Sequence, residues 1–168
     1  MAEQPDDRDA QLERALRAAD KIEIIERLSL YQQLLDSRDL DRMDEVLDVD
    51  AVVDYPGMED NFDLGDDTIV GREAIVAWLR SSLVTARTVH YMTNHVFSRC
   101  DGSRADVRTY LLSFVYSSDG TVSSPHTTGI YDVELVRRAE GWRVVRLRLE
   151  HLYLPETVAF IRGLHGSG

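Results

Sequence analysis

The feature that most limits the fold is a change of hydrophobic period part-way along the chain. Up to about Leu83 the apolar residues recur at helical spacing, and from Thr88 onwards they alternate. The second part divides into four strand-like runs, Thr88 to Ser98, Arg104 to Ser117, Thr127 to Arg138 and Trp142 to Leu154. They are separated by the turn signals Asp101-Gly-Ser, Ser118-Asp-Gly and Ala139-Glu-Gly141. Strands joined this closely pair in order as an antiparallel meander, and a sheet with one apolar face needs helices to cover it. The expected class is therefore α+β.

Three helices are expected to precede the meander. From Asp20 onwards Ile24, Leu28, Tyr31 and Leu35 form one stripe, widened by Ile25 and Leu34. The spacing of Leu40, Met43, Val46 and Leu47 predicts a short second helix, with Ser37-Arg-Asp39 as turn and N-cap. Ile75, Trp78, Leu79 and Leu83 predict a third, and between these two Ala51 to Gly57 reads as a brief strand ended by Pro56 and Gly57. Residues 58–68 are acidic and lack periodic apolar positions, as a loop or lid would; residues 156–164 suit a closing helix. The domain reading is a flexible or helical leader over 1–18, one domain over 19–156 and a tail over 157–168.

Composition narrows the function. At 168 residues, 43% hydrophobic and 29% charged, the chain suits one globular domain, and a net charge of −11 argues against nucleic acid or an anionic membrane as partner. Cys100 is the only cysteine, which excludes an intramolecular disulfide and a cysteine metal cluster. The acidic start lacks the basic flank and apolar stretch of a signal peptide, so a cytoplasmic location is expected. Neither His-x-x-His nor Glu-x-x-His occurs, and a Gly-rich phosphate loop is likewise missing from the sequence; no metal site and no cofactor is expected.

Two residues stand out chemically. Asp36 ends the apolar stripe of the first long helix, and His90 sits in an apolar strand. Each is costly to bury alone and suits the other as partner. The bland readings are that Asp36 caps the next helix and that His90 is a core histidine bonded to backbone. Strand alternation adds neighbours: His90 shares a face with Met92, Asn94 and Val96; Ser113 with Val107, Leu111 and Val115; Tyr131 with Val133 and Leu135; His151 with Val145, Leu147 and Leu149. His95 points the other way with Tyr91, and His126 falls in a loop.

Tyr31-Gln-Gln-Leu-Leu-Asp-Ser-Arg-Asp-Leu-Asp-Arg-Met43 followed by Val52-Val-Asp-Tyr55 resembles the first helix, catalytic aspartate and pocket tyrosine of the SnoaL-like, scytalone-dehydratase-like branch of the nuclear-transport-factor-2-like superfamily. Val89-His-Tyr-Met-Thr-Asn94 is similar to the segment carrying the catalytic histidine of the hexachlorocyclohexane dehydrochlorinases, and Gly129-Ile-Tyr131 with Glu140-Gly-Trp142 is similar to the family's final hairpin. The resemblance implies a cone of three N-terminal helices packed in a curved antiparallel sheet. It also implies a cofactor-free dehydratase, cyclase or isomerase acting on a small apolar cyclic metabolite, such as a polyketide or steroid-like intermediate.

Under this resemblance His90 is the general base and Asp36 its partner, while Tyr31, Tyr55, Asn94, Ser113, Tyr131 and His151 contact substrate. A homo-oligomer, trimer or dimer, is implied as well. Two departures bear on substrate: Ser113 stands where relatives carry an acidic residue or a second histidine, and His151 or Leu152 stands where they carry an arginine. The rival reading is a non-catalytic module that uses the same fold to bind a ligand or to oligomerise.

Overall fold

The computed structural model describes residues 7–56, 68–84, 86–117, 119–120, 126–153 and 163. The expected lid over 58–68, save Thr68, which opens a strand, and the closing helix over 156–164, save position 163, lie outside them. Helix α1 runs from Asp7 to Ser37, 31 residues, so the leader from Asp7 and the helix expected from Asp20 form one continuous helix. Ala10, Ala15, Ala18 and Ala19 with Glu and Arg neighbours carry this first part on propensity alone, and its Leu12 and Leu16 stay exposed. Packing begins at Ile24, and Ile24, Leu28, Tyr31, Leu34 and Leu35 are buried as the stripe predicts.

α1 stops in a Schellman motif. Arg38 takes a left-handed φ of 62°, its N–H bonds to Leu35 O at 3.1 Å, and Asp39 N–H reaches back to Leu34 O at 3.0 Å. The Asp39 side chain caps no backbone N–H of the next helix. The expected second α-helix is a 3-10 helix, Leu40–Glu45, and strand β1 starts already at Leu47 and runs to Asp54. Leu40, Met43 and Val46 are spaced by three, which matches the three residues per turn of a 3-10 helix, and all three are buried.

The sheet is mixed, with six strands in the order β2-β1-β6-β5-β4-β3. The other strands are β2 Thr68–Val70, β3 Ala86–Cys100, β4 Arg104–Ser117, β5 Thr127–Arg138 and β6 Gly141–Tyr153. The meander β3 to β6 is antiparallel as expected, whereas β1 lies parallel to β6 and antiparallel to β2. Helix α2, Arg72–Ser82, comes after β2, so the helices do not all precede the sheet. It begins at Gly71, whose φ of 92° only glycine adopts freely and whose N–H bonds to Ala51 O at 2.8 Å.

Helix α1 packs on the inner face against β3 and β6, and α2 packs against β1 and the 3-10 helix. The largest fully buried side chains are Trp142, Tyr31, Ile24, Leu28 and Met43. Strand β4 alternates without interruption, burying Ala105, Val107, Thr109, Leu111, Ser113 and Val115. Of the register shifts in the other strands, one in β3 and one in β6 change the expected faces. In β3 the register steps from Thr93↔Tyr110 to Val96↔Arg108, so Asn94 and His95 together face the single residue Thr109. Val96 is consequently exposed and Phe97 is the half-buried member, the reverse of the expected phase.

In β6 the register steps from Leu135↔Val144 to Glu134↔Arg146. Val145 is the extra residue, and Trp142 and Val144 are buried with Leu147 and Leu149 while Val145 is not. Arg146, Arg148 and Glu150 face outward as expected. Among the described residues no helix is long and apolar enough to cross a membrane.

Candidate active site

The C-terminal end of α1 and the first part of β3 are tied together at alternate residues. Arg38 donates from its guanidinium to Ala86 O. Asp36 then accepts the Thr88 hydroxyl on Oδ1 at 2.9 Å, the His90 main-chain N–H on Oδ2 at 2.9 Å, and the His90 ring Nδ1 on Oδ1 at 2.6 Å. Ala86, Thr88 and His90 all point inward because strand residues repeat every second position, and Asp36 reaches them from the last turn of the helix.

Asp36 is placed against local preference. The end of a helix carries partial negative charge, which disfavours a carboxylate, and the last turn of α1 contains no basic residue. The three donors from β3 supply the compensation that the helix does not. An ionised carboxylate only accepts hydrogen bonds, so the proton in the short contact belongs to Nδ1 of His90, and in the neutral form of the ring the lone pair is then on Nε2. The His90 side chain is 14% and the Asp36 side chain 25% exposed, which shelters the pair from bulk water yet leaves it reachable.

The sheet register fixes the neighbours. His90 lies directly opposite Ser113, and Ser113 opposite Thr127; one row further in, Met92, Leu111, Gly129 and His151 succeed one another across four strands. Ser113 is buried beside the imidazole. His151 is on the inner face, both ring nitrogens are buried without a hydrogen-bond partner, and burial pushes its pKa down to about 4. At physiological pH this favours a neutral imidazole, which suits a hydrogen-bonding group and does not suit a protonated pocket acid.

Tyr31, Tyr55 and Tyr131 form a buried cluster with hydroxyls close enough to influence one another, and burial raises all three pKa values. Each therefore keeps its proton and can donate it to a neutral or anionic oxygen. Tyr31 Oη lacks a hydrogen-bond partner of good geometry despite this proximity. The Tyr55 ring packs on Trp78 of α2 at 5.2 Å between centroids. Asn94 does not join the group: it sits at the β3 bulge with φ 58° and is exposed, since asparagine tolerates the left-handed conformation that the bulge requires.

Two residues of this neighbourhood escape a reading by residue type. Thr88 is bonded to Asp36, and Gln32, one helical turn before Asp36 on the same face, is 3% exposed, close to the Tyr131 hydroxyl, with neither amide atom in a hydrogen bond of good geometry. The signal for each is only positional: Thr88 precedes His90 by two, and Gln32 precedes Asp36 by four. Among the described residues no three His, Cys, Asp or Glu side chains form a metal-ligating group.

The family model of the SnoaL-like domain matches residues 16–148. The chain belongs to the SnoaL-like family. The nuclear-transport-factor-2-like fold is common to its structural neighbours. This SnoaL-like protein is similar to an uncharacterized protein of Mycobacterium tuberculosis, 29% identical over 76% of this chain and 82% of that one. A structure from Novosphingobium aromaticivorans that carries a provisional aromatic-ring-hydroxylase name is 26% identical, with a TM-score of 0.67 over 81% of this chain and 91% of the other. The hexachlorocyclohexane dehydrochlorinase of Novosphingobium barchaimii shares the fold, with a TM-score of 0.68, 19% identity, and coverage of 83% and 90%.

Proposed function

We propose that this SnoaL-like protein is a cofactor-free lyase or isomerase, a dehydratase or cyclase, that takes a proton from a small, largely apolar cyclic molecule. The observation that carries the reading is the 2.6 Å contact between His90 Nδ1 and Asp36 Oδ1, made while Asp36 also holds the main-chain N–H of the same residue. The carboxylate fixes the Nδ1–H tautomer, orients the ring and stabilises the imidazolium that forms when Nε2 accepts a proton. Abstraction next to a carbonyl or leaving group leads to loss of water, ring closure or double-bond migration.

Negative charge that develops on a substrate oxygen calls for donors that stay protonated. Tyr31, Tyr55 and Tyr131 meet that need because burial holds their protons, and Ser113 and neutral His151 add uncharged hydrogen bonds. The two arginines next in sequence to the His151 region, Arg146 and Arg148, face outward, which supports a neutral ligand over an anionic one. Tyr55 on Trp78 supplies an apolar wall suited to a ring. The names carried by the dehydrochlorinase and the ring-hydroxylase neighbour support a cyclic ligand as well. The cytoplasmic location expected from the sequence and the homo-oligomer implied by the resemblance belong to the same proposal.

The test is a screen of cyclic hydroxy-ketones for dehydration or isomerisation, with wild type beside His90→Ala. Turnover should vanish in the variant while its circular dichroism stays that of wild type. Undiminished turnover would remove His90 from the chemistry. Ligand binding without turnover in either protein would leave a binding module in the enzyme's place.

A further inference from the structure

The geometry points to Thr88 as a positioning residue that locks the Asp36 carboxylate so that it can orient His90; the inference rests on the reading of that pair as the proton-abstracting unit. Thr88 Oγ1 donates to Asp36 Oδ1 at 2.9 Å, the same oxygen that the His90 ring bonds at 2.6 Å. Rotation of the carboxylate about its Cβ–Cγ bond would break the Thr88 and His90 ring contacts together. With Oδ2 held by the His90 main-chain N–H, Asp36 is fixed at both oxygens.

The fold itself does not call for a hydroxyl at this position. Thr88 is 9% exposed, its cross-strand partner is Val115, and its inward neighbour along the strand is Ala86. Valine has the same shape and serves a buried strand at least as well. A hydroxyl in such surroundings costs desolvation unless it is bonded, and the Thr88 hydroxyl bonds to Asp36. Threonine is also stiff at χ1, so once the strand is formed the hydroxyl is already aimed. Thr88 thus supplies what α1 lacks at its C-terminal end, a fixed donor for a carboxylate that the helix dipole disfavours.

The pattern reaches further than one bond. Arg38 to Ala86 O, Asp36 to Thr88 and Asp36 to His90 fasten three successive inward positions of β3 to one helix end. Arg38 sets the register through main chain alone, whereas Thr88 and His90 meet on one carboxylate oxygen. The consequence is a division of labour: Arg38 fixes where the strand lies and Thr88 fixes how Asp36 is turned.

The experiment uses the full-length protein with ¹⁵N-labelled histidine, and needs no substrate. In wild type the His90 Nδ1–H should give a downfield, exchange-protected proton resonance coupled to a protonated Nδ1. Thr88→Val should move that resonance upfield by about 1 ppm or lose it to exchange with the fold intact, and Thr88→Ser, which restores the hydroxyl, should bring it back. A Thr88→Val protein with the wild-type resonance, or a Thr88→Ser protein that behaves like Thr88→Val, would overturn the inference. If Thr88→Val does not fold, Thr88→Ala against Thr88→Ser gives the same comparison. Asp36→Asn separates the two levels: a resonance unchanged in Asp36→Asn defeats the pair and Thr88 with it. One lost in Asp36→Asn yet kept in Thr88→Val defeats Thr88 alone.

Discussion

Asp36 holds His90 at two atoms of the same residue, the main-chain N–H on one carboxylate oxygen and the ring Nδ1 on the other. The first bond ties the strand to the helix end, as Arg38 does at Ala86, and the second turns the ring, so one side chain grips both the backbone and the imidazole of His90. That carboxylate sits where the helix dipole opposes it, and a residue kept against local preference is characteristic of a functional site.

Asp36→Asn should separate stability from activity. Asparagine keeps one acceptor oxygen, so the net loss is about that of one charge-assisted bond, about 1.5–3 kcal/mol, offset by about 1 kcal/mol of relief at the helix end. Chemical denaturation should therefore register a change of no more than about 2 kcal/mol, while turnover of a substrate found by screening falls by about 10²-fold or more. A variant that is much less stable yet fully active would reverse the assignment of Asp36 from chemistry to scaffold.

His151 makes stability depend on pH in a defined window. Its folded pKa of about 4 lies below the ordinary value of 6.5, so the unfolded chain takes up a proton first as the pH falls. The contribution is fully present above pH 6.5 and is lost progressively down to about 4, where the folded form also titrates. Urea midpoints measured at about pH 7.5 and about pH 4.5 should differ more for wild type than for His151→Leu. Equal differences would show that His151 is not desolvated in solution.

Gly129→Ala should destabilise the sheet beside His151. A Cβ there would stand 2.7 Å from Leu149 Cδ1 and 2.8 Å from Glu150 O, and the second contact is backbone that cannot turn aside. A cost of about 1–3 kcal/mol is expected from this overpacking, read as a lower denaturation midpoint at unchanged slope.

The outer face of the sheet offers a surface for a second copy of the chain. Tyr91, Val96, Tyr110 and Leu152 are exposed large apolar residues on it, next to a groove of about 860 Å³ lined by Arg104, Arg108, Asp132, Glu134 and Arg148. Arg108 and Asp132 already pair there through two 2.8 Å bonds. Light scattering should give the mass of a dimer or trimer, and Tyr110→Asp should lower it toward that of a monomer without loss of strand signal. A wild-type monomer at micromolar concentration would rule out this assembly.

Amphipathic period alone determined the parts of the protein that bury one face. Ile24, Leu28, Tyr31 and Leu35 on α1, and the inward positions of β4 and β5 including Ser113 and Tyr131, could be placed from spacing, because burial is imposed at a fixed interval along a regular element. The pairing of Asp36 with His90 was legible for a related reason: two ionisable groups each costly to bury alone were left over once the apolar residues had been assigned. Tertiary structure decided the rest. The parallel pairing of β1 with β6 depends on which chain segments meet, and no local pattern encodes that. The bulges at Asn94 and Val145 insert one residue and reverse the phase beyond it, which removes Asn94 from the candidate site and turns Val145 off the buried face. Thr88 became visible only when the helix end was seen against the strand, because a hydroxyl has a meaning only through the group it bonds.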